Sequence, residues 1–271
     1  MPDKIQVSAC LLGLAVAFPG MAAASIIESA IDVSGQTGFV DFAYGDHTIN
    51  GSIAIGVTNN NFRFQGNAGD QIRFIVSSGT PNLDPLIELR DASGTLLKAA
   101  SCNGKPSVYA IQCSANLDQT LAGTGTYYLN LSETNADESG NYTLSLEQRP
   151  PATNWDAIAY GTPLSEQLGH AGDTDFLAFN GLAGTGVKIS FASTTPGLDP
   201  SLEVWDPLGN LVESTWCNGK PSVYPINCSV VPALDLLETG TYRIGLSDYG
   251  WDEIGGYNVG VSCLYGDCPS S

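Results

Sequence analysis

An eight-residue stretch, CNGKPSVY, occurs twice in this chain, at residues 102–109 and 217–224, with no change between the copies. The copies stand 115 positions apart, and each is followed four residues after its tyrosine by a second cysteine, Cys113 and Cys228. The same shift carries Leu83-Asp84-Pro85 onto Leu198-Asp199-Pro200, Gly125-Thr126-Tyr127 onto Gly240-Thr241-Tyr242, and Tyr142 onto Tyr257. No insertion or deletion is needed between these landmarks. Self-similarity at a fixed period is the mark of one structural unit written more than once. Function must therefore lie in what the copies share or in where they differ.

The chain has 271 residues, room for two units of ordinary domain size, each able to bury a core. Ahead of them stand Lys4, an apolar run over residues 7–18, and Ala22-Ala23-Ala24. That is the order of a secretory signal, with cleavage expected after Ala24. The run is too short to span a bilayer. Val7-Ser8-Ala9-Cys10 resembles a lipoprotein cleavage box, but almost no hydrophobic segment precedes it. The expected organisation is a signal peptide over 1–24, one unit over 25–148, a stiff linker around Arg149-Pro150-Pro151 over 149–154, and a second unit over 155–271.

Removal of the signal takes Cys10 with it and leaves six cysteines in an exported chain, where oxidised pairs are the rule. The repeat narrows the pairing to Cys102 with Cys113, Cys217 with Cys228, and Cys263 with Cys268. Zinc is the alternative, but no CxxC spacing is present and neither His47 nor His170 is near a cysteine. The formal net charge is −18. Such a surface repels phosphate backbones and anionic lipid, so nucleic acid and membrane surfaces are poor partners, and with the apolar run too short to span a bilayer no membrane insertion is expected. It suits divalent cations, or simply solubility outside the cell.

No long helical period appears; short alternating runs are broken by Gly, Asn, Asp and Pro, as in antiparallel β structure. Tyr127, Leu129 and Leu131 alternate with polar residues, and Tyr242, Ile244 and Leu246 repeat the pattern. Tyr142, Leu144 and Leu146 do the same, as do Tyr257, Val259 and Val261. Each run reads as a strand with one buried face. Residues 91–94 and 206–209 read as tight turns, with Asp capping and Gly taking the positive φ.

A D-x-D-F segment (Asp173, Asp175, Phe176), a glycine before a strand (Gly69, Gly184), LDPxxExxDxxG from Leu83 and again from Leu198, GTY, and a final tyrosine strand follow in that order. This resembles the bacterial pre-peptidase C-terminal domain, and the resemblance covers nearly the whole mature chain as two copies. It implies two tandem jelly-roll-like antiparallel β-sandwich domains, an all-β fold related to the collagen-binding domains of secreted collagenases. Members are exported, are usually appended to peptidases or surface proteins, and in several cases bind calcium. Asp173 and Asp175 match the family's early acidic pair; the first copy has Asn59, Asn60 and Asn61 there. The cysteine loop stands where the family often carries an Asp-Asp loop.

Catalysis finds little support: His47 and His170 are not equivalent in the repeat, and GxSxG, HExxH and P-loop patterns are absent. A carboxylate pair acting on glycosides is a possibility only three dimensions can decide. Glu133, Asp137 and Glu138 precede the Tyr142 strand, and Asp248, Asp252 and Glu253 take the same places before Tyr257. Three carboxylates plus backbone carbonyls can satisfy a hard cation; the same composition also fits a bare exposed loop. Calcium, if bound, is expected to favour the second copy, through Asp173 and Asp175 or through the Asp248, Asp252 and Glu253 loop. All four tryptophans, Trp155, Trp205, Trp216 and Trp251, also fall in the second copy. The first has Arg90, Ser101 and Ala136 at the last three positions. Because Leu202 and Val204 alternate inward, Trp205 is expected to point outward. Trp205, Trp216 and Trp251 are thus a candidate surface for stacking on sugars or peptide side chains, or one covered by the first unit or a partner subunit.

These readings converge on an exported, non-catalytic binding or adhesion protein whose partner is an extracellular glycan or protein. The alternatives are self-association as a matrix or surface-fibre component, and service as an accessory to a secreted hydrolase.

Overall fold

The computed structural model of the chain describes residues 31–32, 38–44, 48–56, 60–104, 113–150, 155–217 and 227–269. The signal segment, His47, Asn59, residues 105–109 and 218–224 of the repeated octapeptide, and linker positions 151–154 lie outside the described residues.

The described chain is strand and loop throughout. Its first half carries β1 (Ile31–Asp32), β2 (Phe39–Asp41), β3 (Ile49–Ile53), β4 (Asn60–Gly66), β5 (Gln71–Ser78), β6 (Pro85–Arg90), β7 (Leu96–Ser101), β8 (Ser114–Thr120), β9 (Gly125–Glu133) and β10 (Gly140–Gln148). They form two sheets, β1-β3-β10-β5-β8 and β2-β4-β9-β6-β7. The second half carries β11 (Asp156–Ala157), β12 (Leu164–Leu168), β13 (Thr174–Gly181), β14 (Gly186–Ser193), β15 (Pro200–Trp205), β16 (Leu211–Trp216), β17 (Ser229–Val230), β18 (Ala233–Asp235), β19 (Gly240–Asp248) and β20 (Gly255–Tyr265). Its sheets are β12-β20-β14-β17, with β18 also on β14, and β11-β13-β19-β15-β16. In the first half the eight strands β3–β10 run in the order of a jelly roll, β3-β10-β5-β8 over β4-β9-β6-β7, and the second half repeats that order. The chain folds as two of them in tandem, an all-β pair of sandwiches.

Sequence pattern accounts for the register. In β9 the buried positions are Tyr127, Leu129 and Leu131; in β19 they are Tyr242, Ile244 and Leu246. The two sheets of each half close on separate cores, one built around Phe62, Phe74, Ile87 and Leu129, the other around Ile189, Phe191, Leu202 and Ile244. The repeated GTY has a structural cause. Tyr127 Oη donates to the Gly123 carbonyl at 2.7 Å, and Tyr242 Oη to that of Glu238 at 3.1 Å, a tyrosine corner that fixes the strand entry. Gly66 and Gly181 lie where a Cβ would run into Leu121 and Leu236, each beside its corner tyrosine. Asp91 caps the turn to Gly94 (φ 85°) and Asp206 the turn to Gly209 (φ 89°). Disulfides join Cys102 to Cys113, Cys217 to Cys228 and Cys263 to Cys268, with Cα–Cα distances of 6.0, 6.2 and 5.9 Å.

The two sandwiches share a seam. Residues of β5, β8 and β10 in the first contact β15, the loop before β13 and the loop after β19 in the second. Ile75 of β5 is fully buried although it stands outside the first core; Gly172 of the second sandwich packs against it. Thr143 Oγ1 donates to the Ala171 carbonyl at 2.8 Å, and Thr48 is hydrogen-bonded to the His170 ring. Arg149 belongs to this seam rather than to a free linker. It is 8% exposed, contacts Glu147 at 2.6 Å and Glu203 of β15, and lies 4.9 Å above the Trp205 ring. Burial lowers its pKa to about 10, against the pull of Glu147, so the guanidinium is still charged at neutral pH. Arg73 adds a second bridge, 2.6 Å from Asp118 and 3.5 Å from Glu203.

Removing one member of a buried ionic group strands the others, at a cost of about 3–5 kcal/mol. Arg149→Ala should therefore lower stability by that order in urea unfolding. Arg63→Ala, which breaks the exposed pair with Asp41, should be near neutral.

Candidate functional site

The inward phase of β9 does not stop at Leu131. Its next member is Glu133, 5% exposed, and the matching residue of β19 is Asp248, 1% exposed. Each strand thus drops a carboxylate into the end of its sandwich. There it meets the buried aspartate of the LDP motif, Asp84 or Asp199, and the half-buried Glu138 or Glu253. In Asp84–Glu133–Glu138, and again in Asp199–Asp248–Glu253, one oxygen from each residue lies within 4.8 Å of the others. The two groups are equivalent under the 115-residue shift, and each can hold a metal ion.

Backbone amides shape the loop around each strand-end carboxylate. Glu133 Oε2 accepts from the amides of Asn135 (3.1 Å) and Asp137 (3.0 Å). Asp248 Oδ2 accepts from Gly250 (3.0 Å) and Asp252 (3.2 Å), while its Oδ1 accepts from Asp199 (2.9 Å). Wrapping the loop about one carboxylate puts a residue into the left-handed region in both copies, Ala136 at φ 57° and Trp251 at φ 52°. Gly104, from the repeated octapeptide, donates its amide to Asp84.

Of the residues singled out from sequence for calcium, Asp248 and Glu253 come together, and Asp252 supplies an amide to Asp248. Asp173 and Asp175 join neither group. Asp173 Oδ2 accepts the Gly169 amide at 2.6 Å, and Asp175 accepts the Tyr257 hydroxyl at 2.5 Å. Asn60 does the corresponding work in the first sandwich, donating to Tyr142 Oη at 3.0 Å. The D-x-D pair thus has a bonding role inside the fold. Asp84 and Asp199, which the sequence reading does not single out, complete the two acidic groups; the twofold occurrence of LDP and the inward phase of Glu133 and Asp248 are the signals that point to them.

The tryptophans separate. Trp205 does point away from the core of its sandwich, but it is 4% exposed, lying beside Phe176 and beneath Arg149 in the seam. Trp251 is also at the seam: its carbonyl accepts from Ser77 (2.7 Å) and Ser114 (2.9 Å), and Arg73 sits 5.5 Å over its ring. The expectation of rings gathered on an open surface is thus corrected for these two. Trp216 is on the open surface, 49% exposed, with its ring stacked on Tyr249 at 4.0 Å and 18°. Tyr249 itself is 45% exposed. It follows Asp248 directly, its amide held by the Asp199 carbonyl at 2.8 Å, and Trp216 adjoins the Cys217–Cys228 disulfide. The first copy has Ser101 and Thr134 at these two places.

Burial pushes the Asp248 carboxyl from 3.8 up to about 6; amides of Asp199 and Asp252 oppose the rise and their carboxylates add to it. A folded value above the unfolded one means that the fold holds the proton more tightly. That stability is present at low pH and is lost as pH climbs through about 6. In chelator, the melting temperature should fall between pH 5 and pH 7 by more in the wild type than in Asp248→Asn.

No family model matches the chain, and no curated protein does. Among solved structures, it is similar to the pre-peptidase C-terminal domain of a collagenase from Bacillus anthracis, at 20% identity over 44% of this chain and 96% of that one, with a TM-score of 0.29. It is also similar to a candidate secreted protein from Eubacterium rectale, at 8% identity over 83% and 78%, TM-score 0.29. A third is the tandem CBM22-1–CBM22-2 region of Xyn10C from Paenibacillus barcinonensis, at 14% identity over 81% and 88%, TM-score 0.24. Scores this low transfer neither a residue role nor a ligand to this chain.

Proposed function

We propose that the chain is an exported, non-catalytic binding and adhesion protein of two pre-peptidase C-terminal-type modules, residues 25–148 and 155–271, that takes an extracellular glycan on the second. One observation carries the reading: the exposed, face-stacked Trp216–Tyr249 pair, added to a scaffold whose first copy folds with Ser101 and Thr134 instead. Aromatic faces held at the surface bind apolar sugar faces by stacking, and a disulfide on one side with a carboxylate-wrapped loop on the other restrains both rings in advance. Preorganisation of this kind lowers the entropic cost of binding. The net charge of −18 favours a neutral polyhydroxylated ligand over a polyanion. Three disulfides fit the oxidising exterior. Among the described residues no helix is long and apolar enough to cross a membrane. Calcium belongs to this reading as a stabilising ion, since the acidic groups offer hard oxygen donors only.

Self-association has an observation of its own. The sheets end in β7 and β16, where Leu96, Leu97, Leu211 and Val212 are exposed, and uncovered apolar edges invite pairing between copies.

The test is retention on immobilised cellulose, xylan and chitin, with light scattering run beside it. The wild type should be retained on at least one of them. Trp216→Ala should weaken that retention by about 1–3 kcal/mol, the range of an interface hot spot, with little loss of stability. Trp205→Ala should instead cost about 3–5 kcal/mol of stability, as a buried ring does. Concentration-dependent oligomers with no retention would favour the self-association reading.

A further inference from the structure

We propose that Asp84, Glu133 and Glu138 form a divalent-cation site in the first sandwich, repeated in the second by Asp199, Asp248 and Glu253. The assignment rests on the calcium part of the reading above and gives it residues and a stoichiometry.

Acidic side chains at a loop are usually solvated and need no ion. Here two of each three are buried, with Asp84 at 7%, Glu133 at 5%, Asp199 at 6% and Asp248 at 1% exposure. Among the described residues, neither Asp84, Glu133 nor Asp248 pairs with a lysine or arginine. Glu133 supplies the independent observation. Its Oε2 is engaged by loop amides, but its buried Oε1 has no hydrogen-bond partner among the described residues. A buried carboxylate oxygen left without a donor costs free energy unless something else satisfies it. It stands in a group whose other members contribute only carboxylate oxygens.

The chemistry of the donors selects the ion. Every donor is a hard oxygen, and no histidine or cysteine belongs to either group, which disfavours zinc and copper. Carboxylate oxygens gathered within 4.8 Å of one another suit a hard divalent cation such as calcium, which takes oxygen ligands at roughly 2.3–2.6 Å in a flexible geometry. Three carboxylates leave positions for bidentate contacts and water, in keeping with six to eight ligands.

The test is calorimetric titration of the chelator-stripped full chain with calcium chloride. The wild type should take up two equivalents. Glu133→Gln should retain one, and Asp248→Asn should retain one. Glu138→Gln replaces a ligand that is only half buried, so its side chain can be changed without unfolding the end of the sandwich. It too should retain one, with an unchanged far-ultraviolet circular dichroism spectrum. Asp173→Asn should retain both. Two equivalents persisting in Glu133→Gln and Glu138→Gln would overturn the site. If Asp173→Asn then removed an ion, calcium binding would stand and only this assignment would fall. No uptake by the wild type would end both.

Discussion

A strand whose buried phase ends in a carboxylate organises the working end of each sandwich. β9 and β19 carry Tyr, Leu or Ile, and Leu inward before placing Glu133 and Asp248 in the same phase. The backbone cannot rotate that last side chain outward without breaking the ladder with β6 or β15, which pair up to Glu133 and Asp248 themselves. The acid is therefore buried by register, and a buried acid must be met by donors. Loop amides are the donors at hand. They wrap onto one oxygen, turn the chain through the left-handed region, and bring Glu138 or Glu253 back over the site. The LDP aspartate reaches the same point from the adjacent strand. Even the repeated octapeptide takes part, since the Gly104 amide ends on Asp84. Gly104 also lies so close to Asn82 and Leu83 that a Cβ has no room. That packing gives a physical reason for its identity in the repeat.

The seam follows a different logic, one of divergence between copies. Positions that face each core stay apolar in both copies, whereas outer positions at the seam change in character. The first copy carries Arg73, Ile75 and Ser77 where the second has Lys188, Ser190 and Ala192. The second carries Phe176, Ala178, Trp205 and Gly245 where the first has Asn61, Arg63, Arg90 and Asn130. The second sandwich has become apolar on the face its neighbour covers, and the first meets it with Ile75 set among Arg73, Ser77 and Arg149. Gly245 admits the Trp205 ring, which would collide with a larger side chain there.

Much of this was legible in the sequence. Period-two alternation and an uninterrupted repeat were enough for two β-sandwiches, and the repeat shift pointed to the local disulfides. Alternation also gave the outward direction of Trp205. It could not give what covers that face, because alternation reports which side of a sheet a residue occupies and nothing of what packs there. The seam is marked by other outer positions as well as by tryptophan: Ile75 stands where the second copy has Ser190, and Phe176 where the first has Asn61. The same comparison sets Tyr249 against Thr134. The acidic groups were half legible. The loop acids stand out by composition, whereas Asp84 and Asp199 appear only within the repeated LDP motif, and the D-x-D pair accepts from Gly169 and Tyr257.

Trp251 shows how these parts depend on one another. A bulky side chain at φ 52° costs roughly 1–2 kcal/mol relative to an ordinary backbone conformation. Ala136 bears a similar strain in the first sandwich, so the loop wrap, not the tryptophan, imposes the conformation. What differs is what the second loop gains from it. Two hydroxyls from the first sandwich end on the Trp251 carbonyl, and Arg73 covers its ring. Each such hydrogen bond contributes about 0.5–1.5 kcal/mol, enough together to offset the strain. The Asp248 carboxylate therefore holds a loop whose one end, Tyr249, faces solvent in the aromatic stack and whose tip, Trp251, is fastened to the neighbouring module. Residues 248–253 thus join the acidic group at Asp248, the open aromatic pair and the seam in one short loop.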